Sequence, residues 1–93
     1  LLKKIASSYH VTCFEVLTGF KYIGEKIHLW ETMKDGFQFI FGAEESYGYL
    51  LGTHSRDKDA IISSCLIAEI ALYAKLQGQT LLDRLHQIYK KYG

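Results

Sequence analysis

The hydrophobic positions of this chain follow helical spacing over most of its length. From residue 20 to about residue 34, and again from residue 81 to residue 92, apolar side chains recur at three- and four-residue steps. A longer stretch runs to about Gln77 and is apolar on more than one side, with Ser55 or Asp57 as its expected N-cap. We expect the helices at 20–34 and 81–92 to pack by one face each, and the helix that ends near Gln77 to pack against a sheet.

Local signals mark where these helices begin and end. Gly78 supplies a left-handed stop, and Thr80 to Asp83 resembles a capping box whose last residue is Asp in place of Glu. Residues 1–6 place their apolar side chains on one helical face but have no cap of their own. We therefore expect the chain to begin inside a helix, in a domain truncated at its N-terminus.

Two stretches have the composition of β-strands. Residues 11–17 are rich in β-branched and aromatic side chains, and residues 37–41 are apolar at nearly every position. A strand of the second kind needs cover on both faces, as in the middle of an α/β sheet. With the helix at 20–34 between them, the two stretches predict a strand–helix–strand unit and the α/β class.

Composition narrows the function only slightly. The 93 residues are 48% hydrophobic and carry a formal net charge of +1, which favours neither a nucleic acid nor a membrane surface as partner. Cys13 and Cys65 lie among apolar residues and fit neither a disulfide framework nor a metal site, so we expect a reducing, cytoplasmic environment. Ser63, Ser64 and Glu69 break the longest apolar stretch before it reaches the length of a bilayer span.

A dense polar loop follows the predicted strand at 37–41. It contains Glu44, Glu45 and Ser46, and residues 53–59 add further charged and hydroxyl side chains. Open α/β sheets bind small molecules beyond the carboxyl ends of their strands, and carboxylates beside a hydroxyl suit a polyhydroxylated ligand. A sugar is the natural candidate, and the rings of Tyr47 and Tyr49 could line its cleft.

Each of these residues also has a purely structural interpretation. Glu44 and Glu45 could form a solvated pair, and Ser46 is a common turn residue. Thr18 and Gly19 could serve only as a helix cap and hinge. In isolation, Arg56 and Lys58 would be surface charges.

Three strings together resemble one known family. They are residues 17–24 (Leu-Thr-Gly-Phe-Lys-Tyr-Ile-Gly), 44–48 (Glu-Glu-Ser-Tyr-Gly) and 56–60 (Arg-Asp-Lys-Asp-Ala). In this order and spacing they resemble the third domain of the α-D-phosphohexomutases, and among these most closely the phosphoglucomutases. The resemblance implies a three-layer α/β/α, Rossmann-like domain with a small mixed sheet, of which residues 1–93 are a single partial domain without its first strand.

The resemblance also implies a set of substrate-binding residues. The Glu-x-Ser pair of the family holds the hydroxyls of a phosphohexose, which implies that role for Glu44 and Ser46. Further contacts are implied for Thr18, Gly19 and Lys58, and a weaker one for Arg56.

The implied reaction interconverts glucose 1-phosphate and glucose 6-phosphate through a phosphoserine and the intermediate glucose 1,6-bisphosphate. This chain lacks a Thr-Ala-Ser-His-type phosphoserine loop, an Asp-x-Asp-x-Asp metal string and an Arg-x-Ser-Gly-Thr-type phosphate loop. Residues 1–93 are therefore expected to be inactive alone. Mg²⁺ in the parent enzyme would be held by other domains and not ligated by this chain.

The implied partners are a phosphorylated hexose and the other domains of the parent chain. Self-association of the fragment would be one way to cover an exposed sheet edge. Two alternatives remain open at this level. The domain could belong to a phosphomannomutase or phosphopentomutase, or it could be a non-catalytic α/β module that binds a carbohydrate or a protein.

Overall fold

The computed structural model describes all 93 residues and contains four helices and two short strands. In chain order the elements are α1 (Leu2–Ser8), α2 (Phe20–Thr32), β1 (Phe41–Ala43), β2 (Tyr49–Leu51), α3 (Ala60–Leu76) and α4 (Leu81–Tyr92). All four predicted helices are present. The α/β class is confirmed.

The sheet differs from the predicted one. It is a two-stranded antiparallel hairpin in which Gly42 pairs with Leu50, so it is small as expected but not mixed. Residues 11–17 form neither a helix nor a strand, and the second predicted strand is displaced to β1. Strand-forming composition is insufficient without a neighbouring ladder, because a strand satisfies its backbone groups through a partner. The predicted strand–helix–strand unit is therefore wrong for this structure.

The chain divides into two compact units, which are described separately. A central unit comprises Val16–Leu66, and a terminal unit comprises Leu1–Glu15 together with Ile67–Gly93. The core of the central unit is formed by the buried side chains of Phe20, Ile27 and Leu50.

Helical spacing explains how this core forms. Phe20, Ile23 and Ile27 lie on one face of α2, and that face packs on Leu50 of β2 and on Phe39. Burying an aliphatic or aromatic side chain of this kind contributes about 1.5–3 kcal/mol. The core thereby holds the hairpin against α2.

Helix α3 is rich in apolar side chains but is poorly covered. Only Ala74 is buried, whereas Ile61 and Leu76 remain largely exposed. Two three-residue strands offer too little surface to cover a helix of 17 residues, so the sheet cover expected for this helix is not provided. Its end is as predicted: Gly78 adopts a left-handed φ of 71°.

In the terminal unit, α4 begins as the sequence predicts. The Thr80 hydroxyl accepts a hydrogen bond from the Asp83 amide, and the Asp83 carboxylate accepts one from the Thr80 amide. At the other end of the helix, the carbonyl of Tyr92 accepts a hydrogen bond from Lys4. These contacts tie α4 at its start and at its end.

No single helix is both long and apolar enough to cross a membrane. Helices α3 and α4 reach the required length and apolar composition only when they are taken together across an 89° bend.

Candidate functional site

The polar loop predicted from the sequence is the turn of the β-hairpin. It joins two strands rather than a strand and a helix, which corrects the expectation from the sequence. The turn is closed by the Glu44 amide, which donates to the carbonyl of Gly48 at 2.8 Å. Between these residues, Glu45, Ser46 and Tyr47 are exposed to solvent.

The Glu44 side chain is folded back over the turn and is only 12% exposed. A Cβ atom on Gly48 would lie 2.5 Å from Glu44 Oε2 and 2.8 Å from Lys58 Cδ, so the absence of a side chain at Gly48 leaves room for both. Gly48 thus belongs to the candidate site. The sequence did not single it out, because its role depends on a close approach of side chains in space.

Lys58 lies beside this carboxylate. Its Nζ atom is 3.8 Å from Glu44 Oε2 and its side chain is 55% exposed. The contact is long for an ion pair, and more than half of the Lys58 side chain is exposed to solvent. The ammonium group therefore remains available to an anionic ligand while it lies close to Glu44.

The start of α2 approaches the same place. Lys58 Nζ is 5.9 Å from the centroid of the Phe20 ring, and Phe20 directly follows the turn at Thr18 and Gly19. Gly19 is the N-cap residue with a φ of 121°, which side chains rarely permit, and Thr18 is exposed and makes no side-chain cap. The structure thus brings the α2 turn, Lys58 and Glu44 into one neighbourhood.

Arg56 is held differently from the other predicted site residues. Its guanidinium group pairs with Glu31 of α2 and donates to the carbonyl of Thr53 at 2.9 Å. Its own carbonyl oxygen approaches Gly24, where an added Cβ would lie 2.8 Å away. These contacts attach the loop before α3 to α2.

Hydrogen bonds hold Asp59, the residue that follows Lys58, in place. Its amide donates to the carbonyl of Tyr49 at 2.8 Å, and its Oδ1 atom accepts from the amides of Ile61 and Ile62 at 2.9 and 3.2 Å. Its Oδ2 atom contacts His54 Nε2 at 2.7 Å. Asp59, rather than Ser55 or Asp57, therefore caps α3. Its position directly before the apolar stretch was the sequence signal for this.

We expect the start of α3 to lose protection as the pH falls below the ordinary aspartate pKa. The hydrogen bond from His54, followed by those from Ile62 and Ile61, lowers the pKa of Asp59 from its ordinary value of 3.8. A lowered pKa in the folded state means a contribution to stability that is fully present above 3.8 and lost as the pH falls through the lower folded-state pKa. Hydrogen-exchange protection factors at the two isoleucine amides measure this loss.

The Asp59→Asn variant is the control for this pH dependence. It has no carboxylate to titrate, so protection at Ile61 and Ile62 should no longer vary with pH in the acidic range. If the wild-type dependence persisted in the variant, another group would be responsible and the assigned role of Asp59 would be wrong.

No group of three or more His, Cys, Asp or Glu side chains is placed to hold a metal ion. Cys13 and Cys65 are free and exposed, contrary to the apolar environment expected from the sequence.

Comparison with known protein families identifies the family of this chain. The chain belongs to the phosphoglucomutase/phosphomannomutase family, as its α/β/α domain III, which matches residues 1–92. The resemblance inferred from the three sequence strings is confirmed.

Curated relatives carry one particular name. Over all 93 residues the chain is 44% identical to the phosphoglucomutases of Staphylococcus aureus strains USA300, COL and MW2. The chain spans 16% of the length of these relatives. No solved structure matches it significantly.

Proposed function

We propose that residues 1–93 orient the hexose in a phosphoglucomutase, an isomerase that interconverts glucose 1-phosphate and glucose 6-phosphate. The observation that carries this proposal is the hairpin turn, where the Glu44 carboxylate lies beside the Lys58 ammonium and Ser46 is exposed. Membership of the family and the name of the relatives support it.

The chemistry of the turn suits a sugar that must bind in two orientations. An intramolecular exchange through glucose 1,6-bisphosphate presents the same ring to the enzyme twice, with its phosphate groups exchanged. An ionised carboxylate such as Glu44 can accept hydrogen bonds from two neighbouring hydroxyls, and each such bond contributes about 1.5–3 kcal/mol. Ser46 can both donate and accept, so it tolerates either orientation.

The remaining predicted residues surround this pair. Lys58 offers a positive charge to a phosphate or to a sugar hydroxyl, and we assign Thr18 and Gly19 to the substrate side of the α2 turn. Arg56 is a weaker contact in this proposal, because its guanidinium is engaged by Glu31.

We assign the other parts of the reaction to other domains of the same enzyme. These parts are the phosphoserine, the grip on the distal phosphate and Mg²⁺, which stabilises negative charge on a transferring phosphoryl group. The residues of this chain bind and orient the sugar.

A mannose phosphate is the main alternative substrate, because the family name includes phosphomannomutases. A pentose phosphate is a further alternative, since no residue of the turn reports ring size. A non-catalytic binding module is disfavoured by the name that the relatives carry.

The proposal also extends to architecture and location. We propose that the three-layer, Rossmann-like arrangement is completed within the enzyme, which is supported by the poorly covered apolar surface of α3. Without that cover, self-association is the expected behaviour of residues 1–93 alone. A cytoplasmic location is supported by two free, exposed thiols, which persist in reducing compartments.

The test compares the intact enzyme that contains these residues with residues 1–93 alone. We expect the intact enzyme to convert glucose 1-phosphate with a higher kcat/KM than mannose 1-phosphate, and residues 1–93 to show no turnover. Activity from residues 1–93 would contradict the orienting role. A preference for mannose 1-phosphate would assign the enzyme to the phosphomannomutases instead.

A further inference from the structure

Tyr47 has the most exposed large hydrophobic side chain of the protein, at 85%. It lies at the hairpin turn, between Ser46 and Gly48. Its backbone is left-handed, with a φ of 66°, and only one other non-glycine residue, His10, has a positive φ. A glycine or an asparagine would fit this conformation more favourably. The turn therefore exposes an aromatic ring to solvent, at a backbone conformation that is unfavourable for a residue with a side chain.

The neighbouring tyrosine is used differently. Tyr49 stacks on Phe41 across the hairpin, with ring centroids 6.2 Å apart and planes inclined by 19°. That pair stabilises the strands, as cross-strand aromatic pairs do. Of the two tyrosines that the sequence offers for a sugar cleft, Tyr47 is thus the one whose ring is left to a ligand.

The position of Tyr47 relative to the polar groups defines what such a ligand must be. The carboxylate of Glu44 and the hydroxyl of Ser46 can form hydrogen bonds with the polar groups of a bound molecule. Both residues belong to the same five-residue turn as Tyr47. A hexose has a second, apolar surface formed by its C–H groups, which no carboxylate or ammonium can match. An aromatic ring offers the large apolar surface that such a face needs.

We propose that Tyr47 packs its ring against the C–H face of the bound phosphohexose while Glu44 and Ser46 hold its hydroxyls. This inference rests on the proposed function and adds the ring as a contact that recognises the sugar rather than the phosphate. Backbone strain retained at a ligand-binding turn is consistent with it, because such conformations persist where they serve a site.

The experiment uses three variants of the intact enzyme. Tyr47→Asn removes the ring and suits the left-handed backbone, Tyr47→Phe keeps the ring, and Glu45→Gln is the control in the same turn. For Tyr47→Asn we expect KM for glucose 1-phosphate to rise about tenfold. Its melting temperature should stay the same or rise, because strain is relieved. The conservative Tyr47→Phe should recover most of the lost affinity.

Inhibition by inorganic phosphate distinguishes a contact with the sugar from a contact with the phosphate group. Because the ring is assigned to the sugar, the inhibition constant for inorganic phosphate should be the same in Tyr47→Asn and in the wild type. If Tyr47→Asn weakened phosphate and glucose 1-phosphate equally, the proposed contact would be wrong.

Two further outcomes would also overturn the inference. An unchanged KM with a lower melting temperature would show that the ring packs on another part of the protein, and an unchanged KM with no thermal effect would leave it without a role. Glu44→Gln distinguishes this failure from failure of the proposed function. If Glu44→Gln impairs catalysis while Tyr47→Asn does not, only the role of Tyr47 is lost.

Discussion

Replacing Glu44 with Gln in the intact enzyme should lower kcat/KM by about 10- to 100-fold. The amide keeps the shape of the side chain but loses the charge and half of the acceptor capacity that two sugar hydroxyls would use. The melting temperature should change little, because the ion pair between Glu44 and Lys58 is long and the Lys58 side chain is exposed. Steady-state kinetics and thermal melting of the same preparation measure both effects.

Glu45→Gln is the matched control. Glu45 is the next residue of the turn, has the same chemistry and is exposed, so its kcat/KM should remain within about twofold of the wild type. If Glu44→Gln instead lowered the melting temperature and left kcat/KM intact, Glu44 would be a structural residue.

Replacing Gly48 with Ala should impair the same site by a different route. The new Cβ would lie 2.5 Å from Glu44 Oε2 and 2.8 Å from Lys58 Cδ, so both side chains must move. Displacement of binding groups by about 1 Å costs as much as about 100-fold in rate. We expect kcat/KM to fall by about 10- to 100-fold with little loss of stability, because the clashing atoms belong to flexible side chains.

Gly24→Ala is the contrasting variant. Its Cβ would meet the backbone carbonyl of Arg56 at 2.8 Å, and a backbone atom in a packed contact cannot turn away. We expect a loss of about 1–3 kcal/mol in folding free energy, with kcat/KM of the folded enzyme preserved. If Gly48→Ala behaved like Gly24→Ala, Gly48 would be a packing position and not part of the site.

The helices were the predictable part of this fold because their signals are local. The spacing of Phe20, Ile23 and Ile27 defines one face of α2, and Thr80 with Asp83 defines the start of α4. Both are confirmed by the structure. Each depends on residues a few positions apart, so each can be seen in the sequence.

The strands were poorly predicted because pairing is not local. Residues 11–17 have strand-like composition but no partner ladder, and β2 is too short to show an alternating pattern. The assignment of residues 1–93 to a single partial domain stays a prediction.

The chemistry of the site could be predicted in part. The sequence singled out Glu44, Ser46 and Lys58, and the structure places Lys58 beside Glu44. The sequence did not show that Gly48 leaves room for both side chains or that the Asp59 amide bonds to Tyr49, because these contacts depend on how residues 58 and 59 fold back onto the hairpin. The substrate-binding roles stay predictions until a ligand is tested.

The central claim is that the Glu44 carboxylate holds hydroxyl groups of the sugar. The most direct measurement compares kcat/KM of the wild-type enzyme and of Glu44→Gln on glucose 1-phosphate and on its 2-, 3- and 4-deoxy analogues, which keep the 6-hydroxyl that accepts the phosphoryl group. We predict that the penalty of Glu44→Gln largely disappears for at least one analogue, because the hydroxyl that the carboxylate holds is already missing. An equal penalty on every analogue would contradict the claim, since Glu44 would then act through a group other than a sugar hydroxyl.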